Sequence, residues 1–382
     1  MDFKIKKSFL YNTILYLIVI LSFISYEYSL YRSSYDRIIS IIIMLGVVAF
    51  LVGMTEKKYK IIFFHNVAKN NALAILSILL ILSMLISSLK FGYVSFLGLA
   101  RILLMITSIY IFYLFIPSLI SDIDDKVKKL IILITLFSII AIIIALNGSF
   151  FNYKATHYPR VSSIFFDPNY FAVIAGVGLI LSMHKKGIYR WVSIINLLAL
   201  IYSGSRGTML SLAIVLVGFY YYRKKPNIKT ILIFIILMFI GYQFFIYLQN
   251  SGFLRTYQGF SGRESLWKIS FELMMQEPLW GYGTDAIADM LSKRGISNVS
   301  THNAYLDFIL AHGLIPFLLY SMVILKGIYM GYVKEIDSSI MKCIFFLLIN
   351  ANSISINLGG VGATSLMLTL FLGYSNLQRT KI

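Results

Sequence analysis

The sequence predicts an all-α integral membrane protein of about twelve transmembrane helices with one long loop. Three observations carry that expectation. Of 382 residues, 59% are hydrophobic and 13% charged, and the mean hydropathy is +0.81. A soluble domain of this length carries roughly twice that charged fraction. Apolar stretches repeatedly reach the ~17–25 residues that cross a bilayer as a helix. The basic residues behind the net charge of +18 sit in short connections between those stretches, not in a groove interleaved with aromatics. That is a topology signal and not a nucleic-acid footprint. A transmembrane β-barrel would instead show short alternating segments.

The spans fall at about 8–26, 38–54, 72–89, 94–119, 130–147, 164–183, 190–204, 207–222, 230–249, 304–325, 340–357 and 359–377. Met1–Lys7 is basic and precedes an apolar run that is too long for a signal-peptide core and lacks a small-residue cleavage site. It reads as an uncleaved first span. With the N-terminus in the cytoplasm and the spans alternating, the cytoplasmic segments, counted with Arg190 and Lys342 at the span ends beside them, hold 22 of the 34 basic residues, so both termini are expected there. The seventh and eighth spans meet at "YSGSRG", and Gly359-Gly360 interrupts the last pair.

Cys343 is the single cysteine, which excludes a disulfide framework. Only the stretch 250–302 is a long connection. It carries charges, glycines, Trp267, Trp280 and an amphipathic piece at Glu264–Met275, and by the alternation it faces outward. Long loops in compact domains are usually functional. Residues 1–382 thus read as a single polytopic membrane domain, with no soluble domain attached. No GxxxxGK[ST] is present, so this chain alone does not use ATP. HExxH and HxxxH spacings are absent, and neither metal nor cofactor is expected.

Polar residues set against this background are the functional candidates. Arg101 falls deep in the fourth span, where a cation costs roughly 2.5–3.5 kcal/mol on insertion scales; it faces a polar cavity or serves a structural bond. Arg160 sits just outside the sixth span, in "YPRVSSIFFDPNYFA". There Asp167-Pro168-Asn169 reads as a helix start, with Asp167 as cap and Pro168 in the first turn. Ser205-Arg206, flanked by Gly204 and Gly207, places an arginine and backbone N–H groups at a helix start. That is an anion site or a re-entrant turn. Arg263 opens a predicted helix, with Trp267 one turn on and Glu277-Pro278 at its end. A cation suits a helix start poorly unless an anion meets it there. His302-Asn303 stands at the outer end of the tenth span. Its imidazole could accept a proton near neutral pH, and Asn303 could orient it or cap the helix. His312 reads as packed in the bundle.

"RVSSIFFDPNYFA", "SGSRG", "GRESLWKISFELMMQEPLWGYG" and "HNAYLDFILAHGLIP", in that order from Arg160 to Pro316, resemble the O-antigen ligase and Wzy-type polymerase superfamily. The resemblance implies a GT-C-like glycosyltransferase of the bacterial inner membrane. Its donor would be an oligosaccharide on undecaprenyl diphosphate, used at the periplasmic face. Ligases of the family transfer glycan to lipid A–core, and polymerases to another lipid-linked repeat unit. By the same resemblance His302 is the general base, and Arg206 and Arg263 hold the diphosphate. Arg160 is a weaker third candidate, and Asn303, Asn169 and Arg101 are further substrate-binding candidates.

Ligases often continue H-[NSQ]-x9-G-x-x-G. Gly313 fits that pattern, but Pro316 stands at its last glycine. With the modest loop, this tilts the reading toward a polymerase. Partners implied are the lipid-linked oligosaccharide, membrane lipids and a Wzz-like chain-length regulator, but no nucleic acid. A flippase or transporter is the rival of another class. It would show repeated halves and a midplane site, whereas the polar motifs here gather on one predicted face and no internal repeat is visible.

Overall fold

A computed structural model describes residues 7–92, 96–154, 160–223, 263–284, 286–296 and 300–377. The predicted ninth span at 230–249 and the first part of the long loop lie outside these residues. By packing, the chain divides into two compact units, Met1–Ile123 with Arg263–Ile382, and Asp124–Gly262. Each is described by itself.

The first unit opens with α1 (Lys7–Ile24) and α2 (Tyr28–Met54). The second begins ten residues before its predicted span because Glu27 caps it, accepting from the Leu30 N–H at 2.7 Å. The basic connection after it is itself helical, as α3 (Lys57–Ala68), before α4 (Asn71–Phe91). The fourth predicted span is α5 (Phe96–Ser108), a π-helical segment (Ile109–Phe115) and α6 (Ile116–Leu119). Tyr113, Phe112 and Phe115 of the π segment are almost fully buried. Glycines make room for them. A Cβ on Gly46 of α2 would stand 2.9 Å from the Phe112 ring. In lipid, where burial of apolar surface drives little, such close approach at small residues is what holds helices together.

The second unit contains α7 (Ile123–Asn147, but for its first residue), a hairpin of Ser149–Phe150 with Tyr153–Lys154, α8 (Pro168–Ser182), α9 (Tyr189–Tyr202) and α10 (Arg206–Arg223). Asn196 of α9 ties it together inside the bundle. Its Oδ1 accepts from the Ser138 hydroxyl at 2.7 Å, and its amide donates to the Val192 carbonyl.

The chain then returns to the first unit with α11 (Arg263–Gln276), α12 (Ala286–Ser292), α13 (Ala304–His312), α14 (Leu314–Val333), α15 (Ser338–Asn350) and α16 (Ala363–Asn376). The predicted tenth span is therefore two helices, broken at Gly313. Its φ of 82° is outside the helical range, and a Cβ there would collide with the Leu279 carbonyl oxygen. Pro316 falls in the first turn of α14, where the missing N–H costs no helical bond. Leu266, Leu273, Met274, Tyr282, Ala286, Leu291, Ile309 and Leu310 form a core shared by α11, α12 and α13, so the latter part of the long loop is folded around its own apolar centre.

Among the described residues, five helical stretches are long and apolar enough to cross a membrane: Tyr28–Met54, Asn71–Phe91, Gly98–Leu119, Ile123–Asn147 and Leu314–Val333. The remaining apolar helices are shorter. An all-α membrane protein fits this architecture.

Candidate functional site

His302 lies between two buried residues, Thr301 and Asn303, whose polar atoms are hydrogen-bonded. Its φ is 55°, left-handed, which a residue with a Cβ adopts at a cost of roughly 1–2 kcal/mol. Such a conformation persists where the surroundings over-determine it. Here both neighbours are buried while the imidazole-bearing residue is exposed.

Thr301, with no exposure, uses every polar atom. Its N–H donates to Asp307 Oδ1 at 2.8 Å, and its carbonyl accepts from Trp267 Nε1 at 3.1 Å. Its hydroxyl donates to the Asn303 carbonyl at 3.0 Å and accepts from the Asn303 N–H at 3.2 Å. On the other side Asn303 is the N-cap of α13. Its Oδ1 accepts from the Tyr305 and Leu306 N–H groups at 3.0 and 3.2 Å. A cap of this kind contributes about 1 kcal/mol. The Ala304 N–H donates to the Ala351 carbonyl at 2.8 Å, fastening the start of α13 to the end of α15. Asn303 therefore spends its side chain on the helix, as one of the two roles expected of it.

The break after α13 is closed by the "WGYG" turn. The Tyr282 and Gly283 N–H groups donate to the Leu310 and Ala311 carbonyls at 2.8 and 2.9 Å, and the Leu314 N–H donates to the Pro278 carbonyl at 2.7 Å. These satisfy groups that a broken helix leaves open. Gly281, with φ 67°, lies against the Leu310 carbonyl, 2.6 Å from where a Cβ would stand. His312 is buried at the break, its Nδ1 3.2 Å from the Ser83 hydroxyl of α4. As expected, it belongs to the packing.

Arg263 is the first residue of α11, half-buried, and Trp267 follows it by one turn of the same helix. The predicted helix start and its end near Glu277-Pro278 are both found. Glu277 pairs with Lys90 at the end of α4 at 2.5 Å.

Arg101 is on the second turn of α5 and exposed. It lies close to one end of the apolar stretch Gly98–Leu119 and is not deep within it, as the sequence had implied. A long basic side chain near a helix end reaches the interface along its own stem.

In the second unit, Asn169 is the hub. Its Oδ1 accepts from Arg160 Nη2 at 2.8 Å and from the Ser205 hydroxyl at 3.0 Å. Arg160 Nε donates to the Ser203 carbonyl at 2.8 Å, and the Val161 N–H donates to the Tyr202 carbonyl at 3.0 Å. Asp167 caps α8 as expected, accepting from the Asn169 N–H at 2.6 Å. Gly204, with φ 61°, allows the Arg160 stem to lie 2.9 Å from where its Cβ would be. Arg160 and Asn169 thus clamp the turn before α10 to the start of α8. Arg206 is the first residue of α10 and half-buried. The clamp sets the direction in which that helix start points.

Sequence reasoning missed Asp307, Trp267 and Thr301 as members of the site. The available signal was a carboxylate in the first turn of an apolar helix directly after the His-Asn pair. Among the described residues, no group of three or more His, Cys, Asp or Glu side chains is placed to hold a metal ion.

Residues 191–321 match the family model Wzy_C, described as O-antigen ligase. The match covers a third of the chain and supports the resemblance to the O-antigen ligase and polymerase superfamily. It includes Arg206, Arg263, Trp267, His302, Asn303, Asp307 and Gly313, and leaves out Arg101, Arg160 and Asn169. No curated protein matches the chain.

Proposed function

We propose that this chain, with its O-antigen ligase domain at residues 191–321, polymerises lipid-linked oligosaccharide repeat units. The donor is a glycan on undecaprenyl diphosphate and the acceptor is a sugar hydroxyl, at the periplasmic face of a bacterial inner membrane. One observation carries the reading: an exposed histidine held in a left-handed conformation by buried neighbours, inside the matched stretch.

The chemistry follows from the side chains. The His302 imidazole takes the proton of the acceptor hydroxyl while that oxygen attacks the anomeric carbon of the donor. The bond between that carbon and the phosphate oxygen breaks, and undecaprenyl diphosphate leaves with the electron pair. A positioned base contributes typically 10²–10⁴-fold. Arginine is suited to the departing charge because its fork matches phosphate oxygens. Arg206 and Arg263 are assigned this role, each at the first residue of a helix. Arg160 and Asn169 are assigned to positioning the start of α10.

The ligase reading keeps the same chemistry with lipid A–core as acceptor, and the description of the matched family favours it. Pro316 in place of the last glycine of the ligase pattern favours the polymerase.

The deciding experiment incubates purified protein with one lipid-linked repeat unit, with and without lipid A–core, and separates the products on a gel. A ladder from the repeat unit alone is expected, lost in His302→Ala by on the order of 10²-fold or more and strongly reduced in Arg263→Ala. Product formed only with lipid A–core present would make the protein a ligase. Movement of labelled lipid across the bilayer without any transfer would replace the enzyme reading by transport.

A further inference from the structure

We propose that Asp307 is a positioning residue for the reaction, acting on His302 through the Thr301 backbone, with Trp267 as the opposing support. This rests on the reading of His302 as the base.

A left-handed residue is held only if the peptides on both sides of it are fixed. The peptide after His302 is fixed by the Asn303 cap and by the bond from Ala304 to Ala351. The residue before it is fixed at both backbone ends by side chains. Asp307 takes the Thr301 N–H, and Trp267 gives its indole N–H to the Thr301 carbonyl. The two come from different helices, so Thr301 is clamped between α11 and α13.

Asp307 stands four residues after the cap and lies on the helix that His302 precedes. Its carboxylate folds back over the first turn to reach Thr301 six residues upstream. That geometry uses the side chain as an acceptor. It does not need the negative charge. Trp267 adds a second consequence. It lies four residues after Arg263 on α11, so the helix that begins with the proposed diphosphate ligand also holds the residue preceding the base. Misplacing a catalytic group by about 1 Å is enough to lose on the order of 10²-fold in rate.

The test uses full-length protein in detergent. The donor is the undecaprenyl-diphosphate saccharide extracted from membranes of the source cells lacking this protein, and the readout is release of the lipid diphosphate. Asp307→Asn keeps an acceptor oxygen and is expected to hold kcat within about threefold of the parent. Asp307→Leu removes the acceptor and is expected to lower kcat by about tenfold or more with KM for the donor unchanged. Trp267→Phe, which keeps the ring but loses the N–H, is expected to move kcat in the same direction without a change in KM. It guards against poor folding of the leucine variant. Thermal midpoints are measured alongside.

An Asp307→Asn variant as inactive as Asp307→Leu would overturn the proposal, because the charge itself would then be used. Full activity in both Asp307→Leu and Trp267→Phe would overturn it too, while a dead His302→Ala control left the base reading standing. An active His302→Ala would remove the base reading and the proposal together.

Discussion

At the scale of single residues, His302 combines a backbone that disfavours a side chain with the side chain that the proposed reaction uses as its base. That conflict gives a prediction separating structure from chemistry. Glycine adopts φ near 55° without the roughly 1–2 kcal/mol that a Cβ costs there. It gives back roughly 0.5–1 kcal/mol through the greater freedom of the unfolded chain. His302→Gly should therefore melt no lower than His302→Ala, and both should be inactive. If the lost group is the base, added imidazole should restore part of the activity of His302→Gly, where space for it has been opened. Glycosyl transfer followed against imidazole concentration checks this, and an unresponsive variant with an intact melting profile would count against proton transfer at this position. Arg160 and Asn169 illustrate the opposite case. Their side chains are engaged in tertiary bonds, and the proposed reaction assigns them to positioning.

At the scale of elements, the break at Gly313 is the feature that most separates structure from sequence pattern. The apolar run 304–325 reads as one span because hydropathy is blind to φ. Two glycines and a turn distant in sequence decide the matter. The "WGYG" turn supplies N–H donors to Leu310 and Ala311, and Gly313 lets the Leu279 carbonyl approach. Gly313→Ala should lower the thermal midpoint and make the 277–284 turn more sensitive to protease. Its Cβ would meet backbone, which cannot swing aside as a flexible side chain can. Gly218→Ala is the control, since nothing lies within 4 Å of its Cβ position. Equal stability of the two variants would show that the stitch is not needed. The same comparison explains what was legible beforehand. Helix starts at Asp167, Arg263 and Asn303 were readable because a cap residue, a proline or a glycine marks them locally. The clamp on Thr301 was not, because its donors and acceptors come from positions 267 and 307, and one sequence does not say which loop meets which helix.

At the scale of the whole molecule, the alternation of spans expected from the basic residues can be compared with contacts that took no part in deriving it. Within the first unit, segments expected on the inner side touch one another. Lys326 donates to the Lys69 carbonyl, Lys334 to the Leu377 carbonyl, and Asn376 to Asn70. Lys90 pairs with Glu277 between segments expected on the outer side, while Tyr26 beside Thr364 and Ala304 bound to Ala351 have partners that fall inside the expected spans 359–377 and 340–357. In the second unit, Asp124 pairs with Lys185 on the expected inner side, and Arg160 meets Ser203 on the outer. The orientation itself is expected from charge bias alone, since short loops rich in Lys and Arg stay in the cytoplasm. The consequence is testable with one cysteine at a time, starting from Cys343→Ser, because Cys343 is buried and single. Ser265→Cys and Asn352→Cys should react with a membrane-impermeant maleimide in intact spheroplasts. Lys58→Cys and Lys186→Cys, also exposed, should react only after permeabilisation. Labelling of Lys58→Cys in sealed spheroplasts would put His302 on the cytoplasmic side. A donor presented at the outer face would then never meet its base, so this inexpensive measurement bears on the proposed reaction as directly as loss of the histidine does.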